Sequence, residues 1–589
     1  MTPQQAIREY VKRLAQVEKS GLGTVELSHH PAVESLLKDL GSLASPRVDT
    51  IPAPGAIDGG LPDLACYELR SRVLILPVEV KSPAVSPAEL LQLPQARKYA
   101  KDFGTSSVLI TNLKVFVLAE LDAGSLVERA RVEVVDDATD LSMTSPKPEA
   151  LAGSGEELLE ILTAAWTTKP AMSKPDDIAG LLGFHAKQLS SEIHRAGDPA
   201  EVLRGYAESI EGGLGVNLPD DFLTATIVQT FVYGLFAAWL ESEDPESFTW
   251  EQAPLILNMG IIRDLLYAVS NPLMVQGADL QDDLRAICRV LNWVDRDAFE
   301  AAFDGNAIEY FYEPFLAAFD TNLRDEMGVW YTPREIAEYQ VRRVDHHLKT
   351  DLGIEDGLAD NDVVVLDPAV GTGTYLAAVL RHIRQHHLDR GEAPTTASRK
   401  AVEAAHSRII GFEILPASFV VCNLRLHRLL TNDFGATNVD ESRLRIYLTN
   451  SLIGWGPEPA PELPLQQLEN EIAEARQVKQ TESVLVIIGN PPYQGYSSTD
   501  NPDETRLLRP WVEPLLGDWG VRNARLGDLY IRFWRMAQHR IADISDRGVV
   551  SFITNRRWLS GRAAPAMRDS IVHDFQKIVV DDLKGDARA

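Results

Sequence analysis

The sequence has only three cysteines in 589 residues, widely separated at positions 66, 288 and 422. This spacing excludes a zinc-binding pattern and a disulfide framework, and it is typical of a protein from a reducing cytoplasm. The chain starts Met1-Thr-Pro-Gln-Gln, without a basic segment leading into an apolar run, so no signal peptide is predicted. The Gly-x-x-x-x-Gly-Lys-Ser/Thr loop of a nucleotide-driven motor is also absent. We therefore expect a cytoplasmic protein without such a motor.

Basic residues are in deficit, with 57 Lys and Arg against 85 Asp and Glu, so the formal net charge is −28. This balance is the opposite of what is expected for a protein that binds nucleic acid. Two basic pairs, Arg342-Arg343 and Arg556-Arg557, are either parts of a local DNA surface or ordinary solvated side chains. Composition alone therefore argues against DNA binding but leaves room for a local basic patch.

Long apolar runs are scarce as well, and Phe222 to Leu240 is the only stretch long enough to suggest a membrane span. Polar residues, among them Gln229, interrupt this stretch, and acidic residues lie at both of its ends. The pattern therefore favours a buried helix over a membrane-spanning one.

The most informative segment present is Asn490-Pro491-Pro492-Tyr493, which follows the apolar run Val484 to Ile488. The run predicts a buried strand, and open α/β sheets carry their chemistry at the carboxyl ends of such strands. The Asn side-chain carbonyl and the Pro491 carbonyl can accept hydrogen bonds from an –NH₂ group, and the prolines hold these acceptors in place. The Tyr ring can stack on a base. These residue types suit methylation of an exocyclic amine.

Three earlier strands with polar ends are predicted upstream of this loop. Val363 to Leu366 leads into Asp367-Pro-Ala-Val-Gly371-Thr-Gly373, and helical spacing follows from Tyr375 to His387. Glycines allow a ligand to approach the backbone, and a helix N-terminus presents free N–H groups. Arg408 to Ile414 ends in Glu413, placed to bind ribose hydroxyls. Leu444 to Leu448 ends in a loop containing Asn450 and Ser451, which could edge an adenine ring.

Taken in order, these residues resemble the N6-adenine DNA methyltransferases of the gamma class. Trp330 to Ile336 looks like their motif X, Asp367 to Gly373 their motif I, Gly411 to Glu413 motif II and Asn450 to Leu452 motif III. Asn490 to Tyr493 is similar to motif IV, Asp528 to Tyr530 to motif V, and Gly548 to Asn555 to motif VI. Many relatives carry Asp where Asn450 stands, and Cys is frequent where Val370 stands.

The resemblance implies a Rossmann-like class I domain that binds S-adenosylmethionine and methylates N6 of a flipped adenine by direct transfer. The residues that it implies for catalysis are Asn490, Pro491, Pro492 and Tyr493. Those that it implies for cofactor binding are Tyr331, Thr332, Pro333, Asp367, Ala369, Gly371, Thr372, Gly373, Glu413, Asn450 and Ser451. No metal is needed for this step.

The amino-terminal region carries a second constellation. Leu61-Pro-Asp63-Leu64 precedes Leu74 to Lys81, where alternation puts Glu79 and Lys81 on one face of a strand. Asp63, Glu79 and the Val80 carbonyl would supply the oxygen ligands that Mg²⁺ prefers, and Lys81 would orient a water molecule. Ordinary surface charge would give the same residues.

This second pattern resembles the PD-(D/E)xK nucleases of the restriction type. Glu34, on what is predicted as the first helix (Pro31 to Leu40), would be the extra acid of some members. Gln95 and Tyr99 on the helix before the strand Val108 to Asn112 fit the same branch.

The predicted fold class is multidomain α/β, with a restriction-endonuclease-like domain at 1–140, a linker and helical connector at 141–305, and a methyltransferase domain at 306–589. The linker is predicted at 136–156. This order resembles the fused type IIG and IIL restriction–modification enzymes, and the methyltransferase part also resembles type ISP and phage-defence enzymes. Ile578 to Leu583 is expected to be the last methyltransferase strand, so that a target-recognition domain would be missing or supplied by a separate subunit.

Two other functions remain open on the sequence. One is a solitary DNA methyltransferase with an inactive nuclease fold, which Mg²⁺-dependent cleavage would exclude. The other is a protein glutamine methyltransferase, since those enzymes share the Asn-Pro-Pro-Tyr loop but are usually shorter and lack the nuclease module.

Overall fold

The computed structural model describes residues 1–20, 27–45, 47–52, 62–102, 107–122, 125–135, 154–167, 175–195, 209, 211–215, 220–257, 263, 280–301, 314–319, 332–437, 439–440, 444–456, 463, 466–493, 501–517, 519, 528–561 and 564–583. The chain divides into two compact units. The first comprises Met1–His185, Asp244–Phe248 and Arg285–Ala307, and the second comprises Ala186–Glu243, Thr249–Leu284 and Ile308–Ala589.

These units do not follow the predicted boundaries at 140 and 305. Helix Ser154–Thr167 packs against helix Pro3–Ser20 and against the strands of the first unit, because it buries Leu158, Leu162 and Trp166 there. The region predicted as a separate connector therefore contributes to both units. Most of the predicted linker, 136–153, lies outside the described residues.

The helices of the first unit include α1 to α5. Their bounds are α1 Pro3–Ser20, α2 His30–Gly41, α3 Pro87–Leu90, α4 Pro94–Asp102 and α5 Ser154–Thr167. The helix predicted at Pro31 to Leu40 is confirmed as α2, but it is the second helix rather than the first. Helices α6 (Pro175–Arg195) and α9 (Leu280–Asn292) each contribute residues to both units.

One six-stranded sheet forms the centre of the first unit. Its strands are β1 Val48–Pro52, β2 Leu64–Glu68, β3 Leu74–Val80, β4 Ser107–Thr111, β5 Val115–Asp122 and β6 Ser125–Glu133, in this spatial order. Only β3 and β4 pair in parallel, and α3 and α4 lie between them in the chain. Since β3 is buried on both faces apart from its first residue, its continuous apolar run is explained. Its carboxyl end carries the predicted nuclease residues.

The remaining α-helices follow in chain order. They are α7 Asp220–Glu241, α8 Ala253–Ile256, α10 Arg296–Ala301 (first unit), α11 Arg334–Thr350, α12 Thr374–Asp389, α13 Pro394–Ser407, α14 Pro416–Arg428, α15 Gln466–Thr481, α16 Pro502–Gly517, α17 Leu529–Gln538, α18 Arg557–Ser560 and α19 Pro565–Asp574. Helix α7 is buried from Ala225 to Leu240 and packs against α14, where Arg428 donates to the exposed Glu241. The prediction of a buried helix is confirmed. None of the helices in the described residues has the length and apolar character that a membrane span requires.

A parallel five-stranded sheet forms the core of the second unit. Its strands are β7 Val365–Asp367, β8 Ile409–Glu413, β9 Arg445–Leu448, β10 Val486–Gly489 and β11 Val549–Phe552, in the spatial order β11-β10-β7-β8-β9. The chain runs outward from β7 through β8 to β9 and then returns to the other side of β7 as β10. The strand order therefore reverses between β7 and β10, which is where open α/β sheets bind ligands. The strands predicted at Val363 to Leu366, Arg408 to Ile414, Leu444 to Leu448 and Val484 to Ile488 are confirmed, and the motif VI segment, Gly548 to Asn555, contains β11.

The strand predicted at Ile578 to Leu583 is wrong. This segment has no strand pairing, and Ile578, Val580 and Leu583 are 44%, 54% and 53% exposed. Side chains tie the segment to α11 instead, because Tyr339 donates to Asp581 at 2.9 Å and Lys577 donates to Asp351 at 2.8 Å. An apolar run predicts a strand only where a neighbouring strand can pair with it, and β11 has no second neighbour among the described residues.

Candidate functional site

The carboxyl ends of β7 and β10 bring the Gly-rich turn and the Asn-Pro-Pro-Tyr loop together. The two strands pair in parallel with Leu366 opposite Ile487, so that Asp367 and Gly489 end neighbouring strands. A Cβ on Gly489 would lie 2.7 Å from Asp367 Oδ1, and Gly489 therefore allows this close approach. Asn490 follows immediately. The two predicted motifs thus meet at the point where the strand order reverses.

The Gly-rich turn has the backbone conformations that glycine provides. Gly371 and Gly373 have φ angles of 54° and 85°, and a Cβ on Gly373 would lie 2.9 Å from Cys422 Sγ. Helix α12 starts at Thr374, so its unpaired N–H groups point to the same end of the sheet. The Gly371 N–H donates to Glu413 Oε2 at 2.8 Å, which joins the turn to the end of β8.

Two buried carboxyl groups lie at this edge of the sheet. Asp367 Oδ1 accepts from the Ala369 N–H at 3.1 Å, whereas Oδ2 has no hydrogen-bond partner among the described residues. Burial, and the nearby Glu413 charge, raise the pKa of Asp367 to about 8. Burial also raises the pKa of Glu413, although three backbone N–H groups donate to its side chain. This pair fits a ligand that brings hydroxyl groups or positive charge to the turn.

The loop after β9 closes against the Gly-rich turn. The Ser451 hydroxyl donates to the Pro368 carbonyl at 2.5 Å. The Asn450 side chain is engaged at both ends, because Nδ2 donates to the Leu214 carbonyl at 3.0 Å and Oδ1 accepts from the Leu452 N–H at 2.9 Å. The position of the predicted adenine-edge loop is therefore fixed by residues more than 200 positions apart.

Lys479, which the sequence analysis did not single out, binds this loop through three hydrogen bonds. Its ammonium donates to Thr449 Oγ1 at 2.8 Å, to the Asn450 carbonyl at 2.7 Å and to the Ile453 carbonyl at 3.1 Å. The rings of Phe412 and Trp455 lie 5.1 and 5.8 Å from the nitrogen. Burial lowers the pKa of Lys479, but three acceptors match the three protons of an ammonium, so we assign the charged form.

The Asn-Pro-Pro-Tyr loop presents one amide and one ring. Asn490 Nδ2 donates to Thr332 Oγ1 at 3.2 Å, and the Tyr493 hydroxyl donates to Asn490 Oδ1 at 3.3 Å. These bonds assign the amide orientation, with the carbonyl oxygen directed away from Thr332. The Tyr493 ring meets Tyr530 edge-on, with centroids 6.1 Å apart. Pro491 is buried beneath the loop.

The other cofactor residues predicted from motif X and motif I are placed as follows. Thr332 and Pro333 immediately precede α11, while Tyr331 lies outside the described residues. Ala369 and Thr372 belong to the Gly-rich turn, and Arg425 from α14 donates to the Thr372 carbonyl at 3.2 Å. A hydrogen bond thus joins Thr332 of motif X to Asn490 of motif IV. The sequence patterns could not predict this contact.

The predicted nuclease residues converge in the first unit. The antiparallel register of β2 and β3 places Leu64 opposite Val78, and its continuation places Asp63 opposite Glu79. Asp63 Oδ2 accepts from the Val80 N–H at 2.7 Å, and Lys81 Nζ lies 2.5 Å from Glu79 Oε1. Burial, and after it the charges of Glu79 and Asp63, raise the pKa of Tyr99 to about 12. Two carboxylates, a lysine and a tyrosine therefore share one end of the sheet.

The three further residues of this predicted site differ in their surroundings. Tyr99 is buried, Gln95 is exposed on α4, and Glu34 on α2 accepts from Lys38 at 2.9 Å. His30, which the sequence analysis missed, lies with Nε2 3.8 Å from Asp63 Oδ1. Among the described residues no group of three or more His, Cys, Asp or Glu side chains could hold a metal ion. Metal binding by Asp63 and Glu79 therefore stays a prediction.

Comparison with known proteins supports the assignment of the second unit. Residues 304–574 match the model of the N-6 DNA Methylase family. The match covers less than half of the chain and shows that this part of it is similar to N6 DNA methyltransferases. No curated protein matches the chain.

Solved structures with similar folds include a DrdV–DNA complex. It matches with 19% identity and a TM-score of 0.52, covering 97% of this chain and 52% of that chain, so this protein spans about half the length of its relative. A nuclease-deletion mutant of the type ISP restriction–modification enzyme LlaGI matches with 18% identity, a TM-score of 0.49, and 71% and 33% coverage. The type IIG restriction endonuclease BpuSI matches with 16% identity, a TM-score of 0.33, and 92% and 53% coverage. The DrdV match shows a shared fold. The other two matches have TM-scores below 0.5 and support no conclusion about this chain.

Proposed function

Residues 304–574 match the N-6 DNA Methylase family, and from this premise we propose a function. We propose that this protein methylates N6 of adenine at a specific site in double-stranded DNA. The observation that carries the proposal is the orientation of Asn490. Its amide lies at the carboxyl end of β10 beside the Gly-rich turn, and Thr332 binds the amide nitrogen, so that the carbonyl oxygen is directed away from Thr332 and accepts from Tyr493. An acceptor in that position suits the amino group of a base.

The residues around the Gly-rich turn fit S-adenosylmethionine as cofactor. One buried oxygen of Asp367 has no hydrogen-bond partner in the described part of the chain, and Glu413 ends β8, where a ribose would be bound. Asn450, Ser451, Thr332 and Pro333 would border the same pocket, together with Tyr331. When bound there, S-adenosylmethionine would supply an electrophilic methyl group.

The loop residues would act on the adenine by positioning it. Asn490 Oδ1 and the Pro491 carbonyl would accept hydrogen bonds from the N6 amino group and draw the nitrogen toward tetrahedral geometry. The Tyr493 hydroxyl donates to the same Asn490 oxygen, and the amino group would replace it there. The Tyr493 ring would stack on an adenine that has left the duplex, which costs a few kcal/mol of unstacking. Pro492 would keep the loop rigid.

A test of this assignment compares Asn490→Ala with the wild-type protein. We expect the variant to lose N6-methyladenine formation on DNA while it still binds S-adenosylmethionine, because Asn490 contacts the base and not the cofactor. Methylation would be measured by mass spectrometry of digested DNA and cofactor binding by calorimetry. A variant that loses cofactor binding would contradict the role given to Asn490.

A second activity, Mg²⁺-dependent DNA cleavage, is proposed for the first unit. It is favoured by the continuation of the β2–β3 register, which sets Asp63 opposite Glu79, and by the contact between Lys81 and Glu79. Asp63, Glu79 and the Val80 carbonyl would bind the ion, which would supply a Lewis acid for the phosphate. Lys81 would orient the attacking water. Together, the two activities would serve restriction–modification or phage defence, with base recognition by a further domain or subunit. The alternative is a DNA methyltransferase whose nuclease fold is inactive.

A further inference from the structure

Residues 211–215 dock by their backbone onto the loop that follows β9. The Leu214 carbonyl accepts from Asn450 Nδ2 at 3.0 Å, and Leu214 is itself buried. These residues precede the methyltransferase motifs by more than 100 positions and belong to the region predicted as a helical connector. They nevertheless lie in the same compact unit as the site.

The segment approaches its neighbours closely on both sides of Leu214. A Cβ on Gly213 would lie 2.3 Å from Ile472 Cδ1, and one on Gly215 would lie 2.7 Å from Ile453 Cδ1. Gly215 also has a φ angle of 61°, which side chains rarely allow. By contrast, a Cβ on Gly212 would meet only Leu463 at an ordinary 3.6 Å. The segment is therefore shaped to approach α15 and the loop closely.

The residue type at position 450 decides whether this contact exists. Asn offers one acceptor to the Leu452 N–H and one donor to the Leu214 carbonyl, and both are used. Asp, which many methyltransferases of the resembled class carry there, could accept from Leu452 but could not donate to Leu214. A carboxylate would also be repelled by the carbonyl oxygen. The amide is thus matched to the docked segment.

The same loop contacts both halves of the methyltransferase site. Ser451 donates to Pro368 in the Gly-rich turn, and the Gly454 N–H donates to Asp503 Oδ2 at 3.0 Å. Asp503 lies in the first turn of α16, the first described element after the Asn-Pro-Pro-Tyr loop. A displacement of Asn450 would therefore shift the Gly-rich turn and the first turn of α16, next to the Asn-Pro-Pro-Tyr loop.

We propose that residues 211–215 form a wall of the cofactor pocket and that Asn450 is the positioning residue that anchors this wall. The proposal rests on the proposed function, since the pocket is that of S-adenosylmethionine. It gives the connector region a role in cofactor binding: docking of residues 211–215 and binding of the cofactor support each other through the loop at 450–454.

The test measures S-adenosylmethionine affinity by calorimetry and hydrogen exchange of peptides covering residues 209–215, in the full-length protein. In the wild type, the cofactor is expected to slow exchange in these peptides. In Asn450→Asp, the affinity is expected to fall about tenfold, as loss of one hydrogen bond between buried groups predicts, and the cofactor-dependent protection is expected to disappear.

Two glycine variants keep the test independent of the folding of Asn450→Asp. Gly215→Ala should weaken cofactor binding by about the same factor, because Gly215 has a φ angle of 61° and its Cβ would lie 2.7 Å from Ile453 Cδ1. Gly180→Ala, at an exposed position of α6 where nothing lies within 4 Å of the added Cβ, should bind like the wild type. Asn432→Asp, on an exposed amide, controls for the added charge.

The outcomes separate the inference from the proposed function. Wild-type affinity in both Asn450→Asp and Gly215→Ala, with unchanged protection of residues 209–215, would overturn the inference alone. A wild-type protein that binds no S-adenosylmethionine would overturn both.

Discussion

At the scale of single residues, the Asn490 amide is oriented by a hydroxyl group from a distant part of the chain. Thr332 lies 158 positions upstream and is buried, and it is the hydrogen-bond partner of Asn490 Nδ2. Without this partner the amide could rotate and present its nitrogen where an acceptor is needed. Thr332 was predicted to bind the cofactor. Its observed contact adds a role in orienting the Asn490 amide, to which we give the catalytic role.

Replacing Thr332 by Val tests this role because Val keeps the shape and removes the acceptor. We expect kcat for methylation to fall about fivefold, since a neutral hydrogen bond contributes about 1 kcal/mol, and to fall by more than the cofactor affinity does. Thr350→Val, at the exposed end of α11, serves as the matched control. An unchanged kcat in Thr332→Val would contradict the orientation argument.

Asp367 provides a second prediction at this scale, concerning protons. Its pKa is raised from 3.8 to about 8 in the folded protein, so it mostly keeps its proton at pH 7. A raised folded-state pKa stabilises the protein at low pH, and this contribution is lost as the pH rises from about 4 to about 8. A positively charged cofactor near Asp367 would favour the carboxylate and release the proton.

We therefore expect S-adenosylmethionine binding at pH 7 to release a proton from the wild-type protein and not from Asp367→Asn. Calorimetry in two buffers of different ionisation enthalpy measures the number of protons, which should approach one, with about 0.9 bound before the cofactor enters. Proton uptake, or equal release by both proteins, would count against the placement of the cofactor beside Asp367.

At the scale of elements, α15 supports the site through a single buried lysine. Lys479 satisfies three acceptors of the loop after β9, and its removal would leave them buried without partners. Lys479→Met is expected to destabilise the second unit by about 3 kcal/mol, which lowers its melting temperature by about 4 °C.

The matched control is Lys577→Met, because Lys577 is 54% exposed and its contact with Asp351 is a surface ion pair. That variant should melt within about 1 °C of the wild type. Differential scanning calorimetry measures both variants, and equal melting temperatures would show that the loop does not depend on Lys479.

Local patterns were enough to predict the elements of the second unit but not the contacts between them. Apolar runs with polar ends predicted β7 to β10, and motif VI predicted β11, because these patterns lie within the residues of the strands themselves. The partners of Asn450 and Asn490 are 236 and 158 positions away, and no local pattern encodes such distances. The strand prediction at Ile578 to Leu583 was wrong for the same reason, because strand pairing depends on a neighbouring strand and not on the residues of the segment itself.

At the scale of the whole molecule, the two proposed activities reside in different compact units. Lys81 and Glu79 belong to the first unit and Asn490 to the second. Lys81→Ala is therefore expected to lower Mg²⁺-dependent cleavage at least about a hundredfold while methylation stays at the wild-type level. Asn490→Ala should show the reverse pattern, and each variant controls for the folding of the other.

Cleavage assays on unmethylated plasmid DNA, with and without Mg²⁺, measure the first activity. Lys81→Ala protein that still cuts DNA would exclude the nuclease assignment. A wild-type protein that methylates but never cuts would favour the alternative of an inactive nuclease fold.

The central claim is that the Asn490 loop methylates adenine in DNA, and single-molecule sequencing of genomic DNA tests it most directly. Cells that express the wild-type chain are compared with cells that express Asn490→Ala. The account predicts N6-methyladenine at one defined sequence motif in the first sample and none in the second. Absence of the modification from both samples would point to base recognition by a further domain or subunit, whereas its persistence in Asn490→Ala would contradict the claim.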